Sequence, residues 1–291
     1  MRFALCAVLT VAMSGFISST ACAQRRGGEI ELGLMTFNIR FATEADGDNA
    51  WSKRKDLVVE TIEKYDPVIL GLQECLDSQA YYLDEQMPQY RWFGIGRDRN
   101  GGGEMTPIFY KPDVVTPIET GTFWLSETPN EPASRSWDAA ITRIVTWIRF
   151  FHPETSRFFT VYNTHYDHRG EEARANASRV LAEHIGELPA DEPIIAMGDF
   201  NAKGGDSEPW QVLVDAGLED TWLLAEEQVG PPVTFSRWTH PREGVDSRID
   251  WIMVRADADV EVCETVLHND DGRYPSDHYP VYARLTIRAK E

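Results

Sequence analysis

The chain has 291 residues, of which 42% are hydrophobic and 26% are charged, and its formal net charge is −19. These values are ordinary for a folded domain and exclude a low-complexity chain, a coiled coil and a minimal scaffold. The acidic surface favours attraction of metal cations, and the lack of Lys and Arg clusters makes a nucleic-acid partner unexpected, because long nucleic acids are gripped by releasing counterions.

The first 23 residues are typical of a signal peptide. Arg2 precedes an apolar run at residues 3–17, and small residues then lead to Ala21-Cys22-Ala23. The run is too short to span a bilayer comfortably, and the A-x-A sequence marks a cleavage site, which disfavours a buried first strand or helix. We therefore expect a signal peptide at residues 1–23 and a periplasmic or secreted protein. A lipoprotein anchored through Cys22 comes second, because the usual leucine before the cysteine is missing.

Residues 24–291 are expected to form a single catalytic domain, monomeric and without a transmembrane segment. Removing the single charge of Arg2 from the net charge of −19 leaves this mature chain at −20. It keeps two cysteines, Cys75 and Cys263. An oxidising compartment would allow them to pair, but their spacing does not specify a bridge, and buried free thiols are an equal alternative.

Predicted strands and helices alternate along this domain, which is typical of an α/β fold. Residues 51–65 carry Leu57, Val58 and Ile62 on one face of a predicted helix, which Asp66-Pro67 ends. On its other side, Lys53-Arg54-Lys55 fits an exposed face. Further helices are predicted at residues 80–87, 174–188 and 209–216. Strands are predicted at residues 32–39, 68–73, 108–110, 120–124, 141–151, 157–164, 193–197, 248–254, 260–267 and 280–287.

Polar residues follow several of these strands at the point where each strand ends. They are Asn38, Gln73-Glu74, Asn163-Thr164-His165 and Gly198-Asp199-Phe200-Asn201, and Asp250 lies within a further strand. Loops at strand ends are where rigid scaffolds display catalytic groups. Because all are of metal-ligand or acid–base type, we expect them to line one shared mouth.

The residue types point to a hard cation and a phosphate. Mg²⁺ prefers oxygen ligands, often only one or two carboxylates, and Asn38, Glu74 and Asp250 supply such a set. Taken singly, each could instead cap a turn or end a strand. Asp199 and Asn201 share one face by the alternation of a strand, so they could hold a water and a phosphoryl oxygen together, although an Asx-turn is the plain alternative.

Ser276-Asp277-His278 is the strongest local signal. An Asp beside a His, just before a strand, can fix the tautomer of the imidazole and raise its basicity. A charged imidazole aimed at phosphate would stabilise charge that develops in the transition state. The alternative is an ordinary surface turn.

Taken together, six segments resemble the endonuclease/exonuclease/phosphatase superfamily, which includes deoxyribonuclease I, apurinic-site endonucleases, sphingomyelinases and inositol-phosphate phosphatases. The resemblance covers essentially the whole mature chain, and the segments occur in the order of the family. They are Thr36-Phe37-Asn38-Ile39-Arg40, Gln73-Glu74, Asn163-Thr164-His165, Gly198-Asp199-Phe200-Asn201, Arg248-Ile249-Asp250-Trp251-Ile252 and Ser276-Asp277-His278.

This resemblance implies a four-layer α/β/β/α sandwich, an α/β fold with two packed mixed β-sheets between helices. It also implies that Asn38 and Glu74 hold Mg²⁺ or Mn²⁺, with Glu74 the principal ligand and Asp277 assisting.

The catalytic roles are likewise implied by the resemblance. Asp199 would orient or deprotonate the attacking water, and Asn201 would contact the phosphate. Asp250 would support His278 or a second metal, and His278 would stabilise the phosphoryl group. His165 corresponds to a histidine that some members use for the leaving group or the phosphate.

The substrate side of the site carries several cations. Arg40 stands where some nucleases of the superfamily have an acidic residue, and it could bind a substrate phosphate or be a buried ion-pair partner. Other segments are similar to a mainly bacterial group of exported members of the superfamily. They suggest a pocket for a small phosphorylated ligand with a sugar-like body. The residues expected to contact it are Arg143, His168, Arg169 and Arg273. Trp51, Trp124 and Trp137 would also suit it, although any single tryptophan is more often part of ordinary core packing.

We therefore expect an exported, divalent-metal-dependent hydrolase of a small phosphomonoester or phosphodiester, derived from a sugar or a lipid headgroup, that acts by in-line attack of water. A secreted nuclease with the same catalytic set is the first alternative. A non-catalytic binding module on this scaffold is the second, and the intact set from Asn38 to His278 argues against it.

Overall fold

The structure is a computed structural model that describes residues 28–289, so the expected signal peptide and Cys22 lie outside the described residues. Thirteen strands and five α-helices form within residues 28–289. The strands are β1 (Ile30–Asn38), β2 (Ile69–Gln73), β3 (Arg91–Phe93), β4 (Ile108–Tyr110), β5 (Thr116–Trp124), β6 (Ile144–His152), β7 (Arg157–His165), β8 (Ile194–Asp199), β9 (Glu219–Asp220), β10 (Glu227–Val229), β11 (Asp250–Arg255), β12 (Ala258–Thr265) and β13 (Val281–Ile287). The helices are α1 (Trp51–Tyr65), α2 (Asp77–Gln86), α3 (Glu171–Gly186), α4 (Glu208–Asp215) and α5 (Thr221–Leu224), and a 3-10 helix covers Glu44–Asn49.

The strands form two mixed sheets. The first has the order β10-β12-β13-β1-β2-β4-β3, and the second has the order β5-β6-β7-β8-β11-β9. Strands β1 and β2 run parallel in the first sheet, as β7 and β8 do in the second, while most of their neighbours are antiparallel. Parallel neighbours end at the same edge, so each sheet brings two carboxyl ends together.

Side-chain alternation builds the four layers. In β1, Leu32 and Leu34 belong to the core between the sheets, whereas Met35 and Phe37 pack in a separate core with residues of α1 and α2. In β8, Ile195 and Met197 face the first sheet, and the residues between them pack with α3 and α4. Because side chains alternate across a strand, each central strand is apolar on both faces. The predicted α/β/β/α sandwich with two packed mixed β-sheets is confirmed.

A polar bridge crosses the core just below the strand ends. Gln73 Nε2 donates to Asn163 Oδ1 at 2.7 Å and to Thr36 Oγ1 at 3.0 Å. Asn163 Nδ2 in turn donates to the backbone oxygens of Leu72 and Pro107 at 2.8 and 2.9 Å. Buried amides that hydrogen-bond across a core hold two elements in a fixed register, so the bridge fixes the first sheet against the second directly beneath the polar residues.

One expectation for α1 is wrong. Arg54, placed by the sequence on an exposed face, is only 4% exposed. Its guanidinium donates to the backbone oxygens of Ile39, Arg40 and Pro275 at 2.6, 2.7 and 2.9 Å. Arginine presents a rigid fork of donors, which suits it to join several carbonyl oxygens at once. Arg54 therefore ties α1 to the two loops that carry Arg40 and Asp277.

Among the described residues, no helix is long and apolar enough to cross a membrane. Cys75 and Cys263 are both buried and free, so the two do not form a bridge in the structure.

Candidate active site

The predicted site residues come together at one edge of the two sheets. Asn38 ends β1 and Glu74 directly follows β2, while His165 and Asp199 end β7 and β8. Asp250 begins β11 and pairs in register with Asp199 on the neighbouring antiparallel strand. Of the residues expected to line one mouth, Glu74, His165, Asp199 and Asn201 line a common cleft, whereas Asn38, Gln73, Asn163 and Asp250 are buried behind or beneath it.

The backbone here adopts conformations that side chains normally avoid. Glu74 and Asn201 have φ angles of 54° and 47°. Gly198 has a φ of 152°, and a Cβ at this position would lie 2.2 Å from the backbone oxygen of Thr164. Left-handed conformations in non-glycine residues are unfavourable and cluster at functional sites. They turn the carboxylate of Glu74 and the amide of Asn201 into the cleft just beyond each strand end.

Asn38 joins the two halves of the site. Its Nδ2 donates to Glu74 Oε1 at 3.1 Å and to Asp199 Oδ2 at 3.0 Å, across the sheet interface. Its Oδ1 accepts the backbone N–H of Arg40 at 3.0 Å. Asn38 thus orients the two carboxylates, and its Oδ1, which accepts one N–H and has a second lone pair, stays a candidate ligand for a cation.

Asp250 holds the imidazole of His278. Their Oδ2 and Nδ1 atoms are 3.0 Å apart, and both residues are buried. Burial acts to lower the pKa of His278, but the negative charges of Asp250 and Asp199 outweigh it and raise the pKa. The ring is therefore a cation at neutral pH, with Nε2 3.8 Å from Asp199 Oδ2.

Asp199 lies at the centre of the site. It contacts His165, whose Nε2 is 3.3 Å from Oδ2, and accepts the backbone N–H of Asn201 on Oδ1 at 3.0 Å. Burial, followed by the charge of Asp250, raises the pKa of Asp199. Burial, followed by the charge of Arg143, holds the pKa of His165 well below its usual range. The site thus contains one cationic and one neutral imidazole around a basic carboxylate.

The corner formed by Glu74 and Asp277 fits a divalent cation. Both carboxylates line the same cleft, and burial, with a contribution from the charge of Glu74, raises the pKa of Asp277. Arg40 supplies only partial compensation, because it forms a bidentate ion pair with Asp46 and lies 3.6 Å from Glu74. Two oxygen ligands of like charge in one corner form the donor set that Mg²⁺ or Mn²⁺ takes, together with water and phosphate oxygens.

A second arrangement of possible ligands overlaps this corner. Asp199, Asp250 and His278 each place one ligand atom within 4.8 Å of the others. However, the Asp250–His278 hydrogen bond already uses a ring nitrogen and a carboxylate oxygen. A cation at Glu74 and Asp277 leaves that hydrogen bond intact, so we place the candidate metal there.

Further charged residues lie in or beside the cleft, and only some of them were predicted from the sequence. Arg143 is 5% exposed, and its Nη2 lies 3.3 Å from Nδ1 of His168. Beside it, Arg97 and Glu104 form a bidentate ion pair at 2.9 and 2.8 Å. Arg97 and Glu104 were missed, although the Asn100-Gly101 turn between them is a hairpin signal that would have placed them opposite each other.

These groups enclose one cleft of about 310 Å³, within the range of small-molecule sites. Phe41, Phe235, Ile141 and Ile249 supply apolar surface that the sequence analysis did not identify. Its polar and charged lining residues are Arg40, Glu74, Glu104, Arg143, His165, His168, Asp199, Asn201, Asp277 and His278.

Other residues expected at the substrate do not line the cleft. Arg169 and Arg273 are exposed, and Arg273 pairs instead with Asp270 at 3.0 Å. The three tryptophans also lie elsewhere: Trp51 packs edge-on against Tyr82, Trp124 donates to the backbone oxygen of Arg97, and Trp137 lies outside the lining. Aromatic residues close to a site in sequence more often fill the packing around it.

The chain is similar in sequence and fold to proteins of one family. A family model described as Endonuclease/Exonuclease/phosphatase family matches residues 35–278. An uncharacterized protein, L388, of Acanthamoeba polyphaga mimivirus is 29% identical over 175 residues, which span 55% of this chain and 63% of that protein.

Two solved structures from Bacteroides thetaiotaomicron are also similar. An endonuclease/exonuclease/phosphatase family protein is 30% identical, with a TM-score of 0.84, and the match covers 90% of this chain and 97% of that one. A mannosyl-6-phosphatase is 31% identical, with a TM-score of 0.80, and the match covers 87% of this chain and 99% of that one.

Proposed function

Because the chain belongs to the endonuclease/exonuclease/phosphatase family, whose members hydrolyse phosphate esters, we propose that it is a divalent-metal-dependent phosphoesterase of small phosphorylated molecules. The observation that carries the proposal is the convergence of Glu74, Asp277, Asp199 and His278 on one small cleft. A non-catalytic scaffold would have no need to keep a buried cationic imidazole beside two partly buried carboxylates of the type that binds metals.

Asp199 is assigned to the attacking water. Its pKa is raised towards neutral pH, which makes the carboxylate a better base and suits a group that accepts a proton during the reaction. The water oxygen forms a bond to phosphorus, its proton passes to Asp199, and the ester P–O bond breaks in line with the attack. The departing oxygen then takes a proton from solvent.

His278 and Asn201 are assigned to the phosphoryl group. The imidazolium of His278, fixed by Asp250, would stabilise negative charge on the phosphoryl oxygens. The Asn201 amide is anchored by donating to the backbone oxygen of Tyr166 at 3.0 Å. The neutral ring of His165 completes this side as a hydrogen-bonding group rather than an acid.

Glu74 and Asp277 would hold Mg²⁺ or Mn²⁺, with Asn38 fixing Glu74. When bound, such an ion polarises a phosphoryl oxygen and offsets charge on the departing oxygen. Arg40 keeps the corner from carrying excess negative charge, because it lies between Asp46 and Glu74.

The substrate we propose is small and has a sugar-like body. The cleft volume of about 310 Å³ suits one compact molecule, and Glu104 and His168 offer acceptors and donors for hydroxyl groups. The similarity to a mannosyl-6-phosphatase supports the same substrate class. On the strength of the pattern at residues 1–23, we further propose that the enzyme acts in the periplasm or outside the cell.

Hydrolysis by the purified protein tests the proposal, followed as p-nitrophenol release from the nitrophenyl esters and as phosphate release from sugar phosphates. With Mg²⁺ or Mn²⁺ we expect hydrolysis of p-nitrophenyl phosphate, bis(p-nitrophenyl) phosphate or a member of a sugar-phosphate panel, loss of activity in EDTA, and recovery on adding metal. His278→Ala should lower turnover by roughly 100-fold or more without a change in unfolding temperature. Absence of release from every compound with either metal would overturn the proposal.

A further inference from the structure

Arg143 is a buried cation without an ionic partner. Its side chain lines the cleft, and among residues 28–289 no carboxylate oxygen lies within ion-pair distance of its guanidinium. Within the part of the chain that the structure describes, the side chain has one hydrogen-bond contact, between Nη2 and His168, and Nε is buried with no partner. A charge removed from water without a counterion is costly, so the site is incomplete as it stands.

Acidic residues near Arg143 are already engaged by other groups. Glu104 is bound by the guanidinium of Arg97 through both of its oxygens. Asp167 accepts four backbone N–H groups, those of Ala140, Ile141, Arg169 and Gly170. Within residues 28–289 neither carboxylate pairs directly with Arg143, so its guanidinium keeps donors that a ligand can use.

We propose that Arg143, steadied by His168, binds the unesterified oxygen that a phosphate monoester carries and a diester lacks, and so makes the site selective for monoesters. This inference rests on the proposed function and names its substrate class. A guanidinium fork matches the oxygens of a phosphate dianion and forms charge-assisted hydrogen bonds with them. In a diester, the second alcohol would lie against Arg143 instead and would leave the cation buried and unpaired.

The position of Arg143 agrees with this role. Its charge acts on His165, which contacts Asp199 at the centre of the site, and Arg143 lines the same cleft as the Glu74–Asp277 corner. A phosphoryl group at the centre would then have acceptor oxygens directed to the metal corner, to His278 and to Arg143. A phosphate monoester has three unesterified oxygens, one for each of these three cationic positions, whereas a diester has only two.

Hydrolysis of matched substrates tests the selectivity. For wild type we expect a higher kcat/KM with p-nitrophenyl phosphate than with bis(p-nitrophenyl) phosphate. Arg143→Met should lower kcat/KM for the monoester on the order of 100-fold and for the diester by less than about threefold. Arg143→Lys keeps the charge but loses the fork, so its kcat/KM for the monoester should lie between the values of wild type and Arg143→Met. Arg169→Met removes an exposed charge of the same type outside the cleft and should leave both substrates unchanged.

Equal losses with both substrates, or no loss with either, would overturn the inference. Calorimetry measures the binding of inorganic phosphate and dimethyl phosphate to wild type and to Arg143→Met. These measurements test the inference about Arg143 separately from the proposed function. If the wild type hydrolyses nothing but binds inorganic phosphate in an Arg143-dependent way, the proposed function fails and the anion site stands. If the Arg143→Met variant binds inorganic phosphate as tightly as wild type while keeping the wild-type circular dichroism spectrum, the anion site is wrong.

Discussion

In the proposed mechanism, Asp250 would act on the reaction through a single hydrogen bond to His278. Its Oδ2 contacts Nδ1 of the ring, and its Oδ1 is buried without a partner. The carboxylate therefore fixes one tautomer of the imidazole and stabilises its charge, and a neutral amide of the same shape does neither. Asp250 is fully covered by the sheet and acts as a positioning residue for His278.

Asp250→Asn should lower kcat by roughly 100- to 10,000-fold while leaving KM nearly unchanged, because the imidazole loses its charge but the cleft keeps its shape. Initial-rate measurements at saturating metal would show the split between kcat and KM. Asp270→Asn, the same chemical change at an exposed residue paired with Arg273, is the matched control. A kcat within threefold of wild type for Asp250→Asn would show that His278 does not depend on this carboxylate.

At the scale of secondary-structure elements, the active site depends on how closely the two sheets approach. Gly71 lies in the middle of β2, and a Cβ there would be 2.8 Å from Asn163 Oδ1 and 2.9 Å from Met197 Cε. Both neighbours belong to the second sheet. The absent side chain is therefore what allows Gln73 and Asn163 to form their bridge beneath Glu74 and His165.

Gly71→Ala should destabilise the fold by about 1–3 kcal/mol, since an inserted methyl group forces the sheets apart in a filled core. Urea unfolding followed by circular dichroism measures this difference. Gly186→Ala is the matched control, because a Cβ at this last residue of α3 meets nothing within 4 Å. That variant should be neutral or gain up to ~1 kcal/mol from helix propensity. Equal stability of the two variants would mean that the sheets relax freely around Gly71.

The strand ends could be predicted from the sequence because their signals are local. A buried apolar run followed by Glu74 or Asp199 needs no tertiary information, and the predicted helix at residues 51–65 matches α1. Burial of Arg54 could not be predicted, because its partners include the backbone oxygen of Pro275, 221 residues away. The same reason explains Glu104, whose loop contributes to the cleft only through the pairing of the sheets.

At the scale of the whole molecule, the surface charge supports the proposed small substrate over a long nucleic acid. The formal net charge of −19 repels a polyanion at long range, whereas one small phosphate enters a cleft where Arg143 and His278 provide positive charge. Long-range repulsion is screened by salt, and short-range contacts inside the cleft are screened much less. Ionic strength should therefore affect the hydrolysis of a large polyanion more than that of a small phosphate ester.

Plasmid DNA is expected to be a poor substrate at low ionic strength, and any residual cleavage should rise as salt weakens the repulsion. A nuclease that binds by releasing counterions behaves in the opposite way, since its affinity falls steeply with salt. Plasmid nicking at increasing NaCl concentrations, run beside hydrolysis of p-nitrophenyl phosphate as the control, measures both trends. A small monoester reaches Arg143 with one charged group rather than a long row of them, so the negative surface repels it only weakly. Its kcat/KM should therefore change only slightly over the same range of NaCl concentrations. Rapid nicking at low salt that declines as salt is added would favour the secreted nuclease over the small-molecule phosphoesterase.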